Sequence, residues 1–313
     1  INGSPSQRKA LRKTGSHPDH LHVSSKITLP VTIDGGAGDD SIWGGSGDDT
    51  ITDLIGNNWI DAGRGNNVVT VGDGNNRILA GGGSDGGSDG GSDNGSDGNN
   101  VIVAGNGNNR IETGSGHDQI TTGNGNNDIR SGGGNDVITT GSGSDRIDAG
   151  DGNDLVRAGA GNDTIEGGDG DDVLIGGDGN DLIEGGKGRD LLIGGIGADR
   201  IIGNQDEDIL VAGWTAYDNN DLAIAAIMLE WTGNNSNTTR RSNISNGTGL
   251  TAGFRLVGDH GAAQTVFNDN DVDILTGSQG IDWFFANRYA DHGGVLDIIR
   301  DKAANELWSD TDF

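Results

Sequence analysis

Residues Gly167-Gly168-Asp169-Gly170-Asp171-Asp172-Val173-Leu174-Ile175 run directly into Gly176-Gly177-Asp178-Gly179-Asn180-Asp181-Leu182-Ile183-Glu184. Both stretches read Gly-Gly-x-Gly-x-Asp-x-apolar-x. Outward from them the pattern extends from Gly35 to Val211 in 18 copies. Position eight is always Ile, Val or Leu, from Ile42 and Ile51 through Ile201 and Leu210. One inward apolar residue per short strand cannot bury a core alone, but stacked repeats line a thin continuous one. The six residues before each strand read as a turn, with glycines at positions two and four permitting positive φ and close backbone approach. The fold class that follows is all-β, a parallel β-roll or β-helix solenoid.

Position six places a carboxylate in a turn rich in carbonyls. Carboxylate plus carbonyl oxygen is hard-cation chemistry, and six to eight such oxygens suit Ca²⁺ better than Mg²⁺. The copies resemble the RTX (haemolysin-type calcium-binding) repeat family across residues 35–211. The resemblance implies a right-handed parallel roll with two nonapeptides per coil. It also implies ions between turns 18 residues apart, held by position-six Asp side chains and turn carbonyls.

Position six is Asp in 12 copies and Asn in six, namely Asn58, Asn67, Asn76, Asn100, Asn109 and Asn127. Pairing alternate copies puts Asp118, Asp136, Asp154, Asp172, Asp190 and Asp208 on one edge. Asp145, Asp163, Asp181 and Asp199 fall on the other. These give five and three Asp–Asp intervals, so eight full-strength Ca²⁺ sites are expected, all after residue 117. Asp40 and Asp49 face Asn and are expected to make weaker sites. Two alternatives stay open: Asn oxygens serve equally well, or stacked Asn amides form a hydrogen-bonded ladder that replaces ions.

The chain carries −28 formal charge, and residues 35–211 hold 32 Asp/Glu against 9 Lys/Arg. That repulsion opposes compaction unless cations neutralise it. With so few apolar and aromatic residues, the ion-free segment reads as disordered, so folding and metal binding are expected to be one event. There is no cysteine, and ions can staple a secreted or cell-surface protein in place of disulfides. No stretch is apolar enough for a membrane-spanning helix, and the charge disfavours nucleic acid. The sequence begins with Ile and shows no signal peptide, so a removed leader or a longer parent chain is expected.

Three segments depart from the repeat. Residues 1–34 form a basic leader with Arg8, Lys9, Arg12, Lys13 and Lys26, plus His17, His20 and His22. It reads as a frayed terminus, a metal tract or a basic docking arm, with a strand over Lys26–Ile33 capping the first coil. A 15-residue Ser-Asp-Gly-Gly insertion near 81–97 reads as a flexible loop. Residues 212–313 read as a small mixed α+β cap. Within it, a helix follows Asn219-Asn220-Asp221 and runs to Trp231, and 233–249 is a loop. Strands are expected at Gly253–Val257, Thr265–Phe267 and Ile274–Leu275. Gly277–Phe285 is a degenerate nonapeptide, and Asp269, Asp271 and Asp273 are a weak further calcium cluster.

One outward face carries Val101/Val103, Val137/Thr139, Val173/Ile175, Leu191/Ile193 and Ile209/Val211. A soluble monomer would not leave such a stripe wet. The C-terminal cap or another protomer is expected to cover it, and self-association through this face or the basic arm follows. Thr50/Thr52 and Val68/Thr70 raise an ice-binding idea, but the Thr pairs do not recur. No nucleophile elbow, zincin or P-loop motif occurs, so no enzyme is expected. Two functions fit: a calcium-stiffened protomer of an extracellular filament, surface layer or adhesin stalk, and the secretion and folding module of a type I-exported enzyme or toxin.

Overall fold

The computed structural model describes residues 9–12, 16–81, 98–258, 264–269, 271–286, 296–300 and 307–310. The fold is a parallel β-solenoid, as the period requires, and the chain divides into two compact units, Ile1–Asp151 and Gly152–Phe313.

In the first unit two parallel sheets face each other. One stacks Ile33, Ile51, Val69, Ile102, Ile120 and Ile138 in register. The other stacks Leu21, Ile42, Ile60, Ile78, Ile111, Ile129 and Ile147. All but the first of these position-eight partners are buried, together with small residues at position one such as Ala62, Ala80 and Ala104. Within the repeat, register partners lie 18 residues apart, except that Val69 pairs with Ile102 and Ile78 with Ile111, each 33 along. The strands on either side of the insertion therefore keep the inward face, which a one-residue slip would have reversed. Apart from Gly81, the expected loop at 81–97 lies outside the described residues.

The expected capping strand at 26–33 is displaced. The strand there is Val31–Asp34, paired in parallel with both Lys9–Arg12 and Thr50–Asp53. His20–His22 likewise pairs with Ser41–Trp43. The described strands of the leader thus continue the roll, because Leu21 and Ile33 repeat the one-apolar-residue rule.

In the second unit the stacks are Val156, Leu174, Leu192, Leu210 and Phe284, and Ile165, Ile183, Ile201, Leu275 and Ile299. The roll therefore resumes after residue 211. Ile274–Ser278 and Trp283–Ala286 pair onto it, as the degenerate nonapeptide suggested, and Ile298–Arg300 and Leu307–Asp310 pair onto these in turn. Between Val211 and Ile274 the chain makes a helical excursion. Helix α1, Asp221–Trp231, is capped by the Asn220 side chain accepting from the Ala223 N–H, as read from sequence. Helix α2, Asn237–Asn246, corrects the expected loop at 233–249. Ser236 caps its start, Gly247 closes it in a left-handed conformation, and Arg240 and Ile244 bury one face. The expected strand at 253–257 does not form, whereas Val266–Phe267 pairs antiparallel with Trp214–Thr215.

The excursion covers the lower apolar stripe. Val173, Ile175, Leu191, Ile193, Ile209 and Val211 are buried in one cluster with Ile224, Ile227, Met228 and Trp231. Polar contacts fix it in place. Arg240 donates to Glu207 at 2.9 Å and lies over the Trp231 ring, while Trp231 Nε1 donates to the Glu207 carbonyl at 3.1 Å. Arg157 pairs with Asp221 at the start of α1 at 2.6 Å.

Candidate metal centres along the turn edges

Every position-six Asp of the repeat is buried. Within each unit, its Oδ1 faces back one coil and accepts a main-chain N–H. The N–H of Asp154, Asp172 and Asp190 donates to Oδ1 of Asp172, Asp190 and Asp208 at 2.8, 2.9 and 3.0 Å. On the opposite edge the N–H of Asp163 and Asp181 donates to Oδ1 of Asp181 and Asp199, both at 2.8 Å. In the first unit Asp118 donates to Asp136 at 2.8 Å, and Asn127 donates to Asp145 at 2.7 Å. Six of the eight expected Asp–Asp intervals lie within one unit, and in each the two residues are joined in this way.

The second oxygen is the chemically telling one. Oδ2 of Asp172, Asp181, Asp190, Asp199 and Asp208 is buried with no hydrogen-bond partner. It looks toward the position-one glycine of its own turn. A Cβ on Gly167, Gly176 or Gly185 would lie 2.3–2.4 Å from that Oδ2 and 2.6–2.9 Å from the carbonyl oxygen of Gly185, Gly194 or Gly203. A carboxylate oxygen and a carbonyl oxygen thus converge on a cradle that glycine leaves open. Burying an anionic oxygen without a compensating partner is costly. Burial accordingly pushes Asp172 and Asp199 up to about 8 and Asp190 to about 7, against the lowering effect of the donated N–H. Asp208 is raised well above its ordinary value by burial and by Asp190.

Asn at position six resolves the same geometry differently. Nδ2 of Asn67 donates to the carbonyls of Gly63 and Gly65, both at 3.1 Å. Asn76 does so to Gly72 and Gly74 at 3.2 and 2.8 Å, and Asn109 to Gly105 and Gly107 at 3.3 and 3.0 Å. Oδ1 keeps the ladder bond, with the Asn76 N–H donating to Asn109 at 3.1 Å. The amide therefore engages turn carbonyls where the carboxylate leaves an oxygen unmatched. Position five adds an outer ladder in which Asn75, Asn126 and Asn66 accept or donate in the same 18-residue step, for example Asn75 N–H to Asn57 Oδ1 at 2.9 Å. His117 takes a place in it, its Nδ1 accepting from the Asn135 N–H at 2.6 Å.

Asp40 and Asp49 sit at the mixed intervals. Their N–H groups donate to Asn58 and Asn67, both at 3.0 Å, and each has an unpartnered, buried Oδ2. Two edge residues were missed as such. Asp273 and Asp282 accept the N–H of Asp199 and Asp208 at 2.6 and 2.9 Å, continuing both edges beyond the helical excursion. The signal for Asp282 was its place in the degenerate nonapeptide; Asp273 stands nine residues before it. Of the suspected Asp269, Asp271 and Asp273 cluster, Asp269 instead accepts the Gly197 N–H at 2.6 Å. Among the described residues, no three His, Cys, Asp or Glu side chains gather as a metal group, the leader histidines included. His20 and His22 lie against Trp43.

Paired carboxylates plus turn carbonyls, repeated along two edges of a parallel roll, define a cation-binding β-solenoid. The family model of the RTX calcium-binding nonapeptide repeat matches residues 32–52, 54–86, 94–129, 121–156, 130–165, 149–183, 157–192 and 184–214. Together these cover more than half of the chain, which belongs to this calcium-binding family. No curated protein matches it. Among the described residues no helix is long and apolar enough to cross a membrane.

Proposed function

We propose that the protein is a secreted structural element, a calcium-stiffened β-roll that serves as the protomer of an extracellular filament, surface layer or adhesin stalk. The observation that carries the calcium dependence is the row of buried Oδ2 atoms at Asp172, Asp181, Asp190, Asp199 and Asp208. Each meets the chemistry of a hard dication, and Asp118, Asp136, Asp145, Asp154 and Asp163 hold the equivalent position. Bound Ca²⁺ would supply positive charge to these oxygens. The residues supply an anionic oxygen, a carbonyl cradle and a fixed spacing set by the Oδ1 ladder.

Assembly is supported by the first unit, where the apolar face stays open. Val68, Val103 and Val137 are 40, 41 and 38 % exposed, while the same face in the second unit is buried under α1. A calcium titration followed by circular dichroism and light scattering, with EGTA reversal, tests both parts. Gain of β signal with particle growth is the expected result. Folding to a stable monomer would instead favour a folding and secretion module of a larger exported protein. No folding response would sink the calcium account.

A further inference from the structure

Position one of the repeat carries Gly, Ala, Val, Thr or Ser in every copy but one, and the exception is Asp53. It ends the strand Thr50–Asp53, points inward and is 1 % exposed. Neither of its carboxylate oxygens has a partner in hydrogen-bonding geometry. Asp40, at position six of the first copy, is also 1 % exposed. Its Oδ1 accepts the Asp19 N–H at 2.7 Å and its Oδ2 has no partner.

The two side chains meet in one place. A Cβ on Gly35 would lie 2.2 Å from Asp53 Oδ2. Gly35 is the position-one glycine of the copy that holds Asp40. In the later copies that cradle is filled by a position-six Oδ2, as Asp172 does beneath Gly167. Burial, and then the neighbouring Asp40, push the Asp53 carboxyl up to about 7. The Ile55 N–H pulls the other way, and the Asp53 and Asp40 carboxyls lie within reach of each other, so two buried carboxyl groups adjoin in one turn with no cationic partner there among the described residues.

The local sequence explains the exception. On this edge Asp40 faces Asn58, so the interval is one carboxylate short of the Asp172–Asp190 arrangement. Asp53 returns the missing carboxylate from a position the repeat does not use. We propose that Asp40 and Asp53 together form an off-pattern site for a hard divalent cation, Ca²⁺ above all, near the N-terminal end of the roll. The inference rests on reading the unmatched position-six oxygens as cation ligands. It places one strong site where the repeat pattern alone gives a weak one, separated from the later Asp series by the Asn-bearing copies.

Native mass spectrometry of the full chain in excess calcium counts the ions. Asp53→Asn, Asp40→Asn and the double variant are each expected to lose the same one ion and keep the rest. An unchanged count in all three, as for two carboxyls sharing a proton, overturns the site. So does a double variant that loses two ions, since the residues would then serve separate sites. A wild-type chain that binds no calcium overturns the reading of the whole roll, and with it this one. Should a variant fail to fold, anomalous diffraction from wild-type crystals soaked in Tb³⁺ decides. A peak between Asp40 and Asp53 is expected, and peaks at Asp172–Asp190 without one there overturn the proposal.

Discussion

The Asp172 N–H donates to Oδ1 of Asp190 at 2.9 Å, while Oδ2 of Asp190 is buried without a hydrogen-bond partner. One carboxylate oxygen thus holds the coils in register and the other is left for a cation. Asn in the same place would keep the first bond and turn an N–H toward the carbonyls, as Asn109 does toward Gly107 at 3.0 Å. Asp190→Asn is therefore expected to stabilise the ion-free roll while lowering its calcium uptake. Relief of one unsatisfied buried group is worth about 1–3 kcal/mol. Urea unfolding in EGTA and calcium titration of the same variant read the two effects. A variant less stable than wild type in EGTA would contradict the role given to Oδ2.

Asn and Asp copies should also part company along the chain. Between Asn67 and Asn109 the turns are closed by amide donors that need no ion. Between Asp172 and Asp208 they depend on neutralising buried carboxylates. Hydrogen exchange after calcium removal is expected to show protection persisting over residues 58–127 and falling over 154–208. Uniform loss across both stretches would mean that the amide ladder does not hold the turns without calcium.

The legible part of this molecule is its period. Ile42, Ile60 and Ile78 announce an inward face, and the spacing of Asp172, Asp190 and Asp208 announces an edge. Asn220 announced α1 because a cap is a local signal. Helix α2 was hidden because Asn237–Asn246 is almost wholly polar and of modest helix propensity. It is held by tertiary contacts, with Arg240 against Trp231 and Glu207. Asp53 was hidden for the opposite reason. A strong repeat makes a residue off the pattern look like noise, and only burial shows that it points inward.

Acidity should mimic part of the effect of calcium. In the ion-free fold Asp181 is raised to about 6, Asp190 to about 7 and Asp172 to about 8 by burial, from an ordinary 3.8. A folded state with raised carboxyl pKa values binds more protons than the unfolded chain across that window. Its stability is then fully present below pH 3.8 and is lost as pH climbs through about 6 to 8. In EGTA, β signal is expected to be stronger at pH 5 than at pH 8. With calcium present the trend reverses, because protons and ions compete for Oδ2, so affinity rises with pH. Circular dichroism across this range checks both signs, and an ion-free roll that gains stability toward pH 8 would refute the assignment.

The open face of the first unit carries the assembly half of the functional reading. Val103 and Val137 stand on that face, partly exposed, where Val173 and Ile175 of the second unit are buried under α1. Exposed positions accept charge at small cost to the fold, typically within about 0.5 kcal/mol. Val103→Lys with Val137→Lys is therefore expected to leave calcium-induced β signal intact. The same pair places two cations where an apolar partner would have to settle, and desolvating them opposes contact. Calcium-driven particle growth in light scattering should then fall at least tenfold at equal protein concentration. Growth at the wild-type level would remove this face from the assembly and return attention to the basic N-terminal residues.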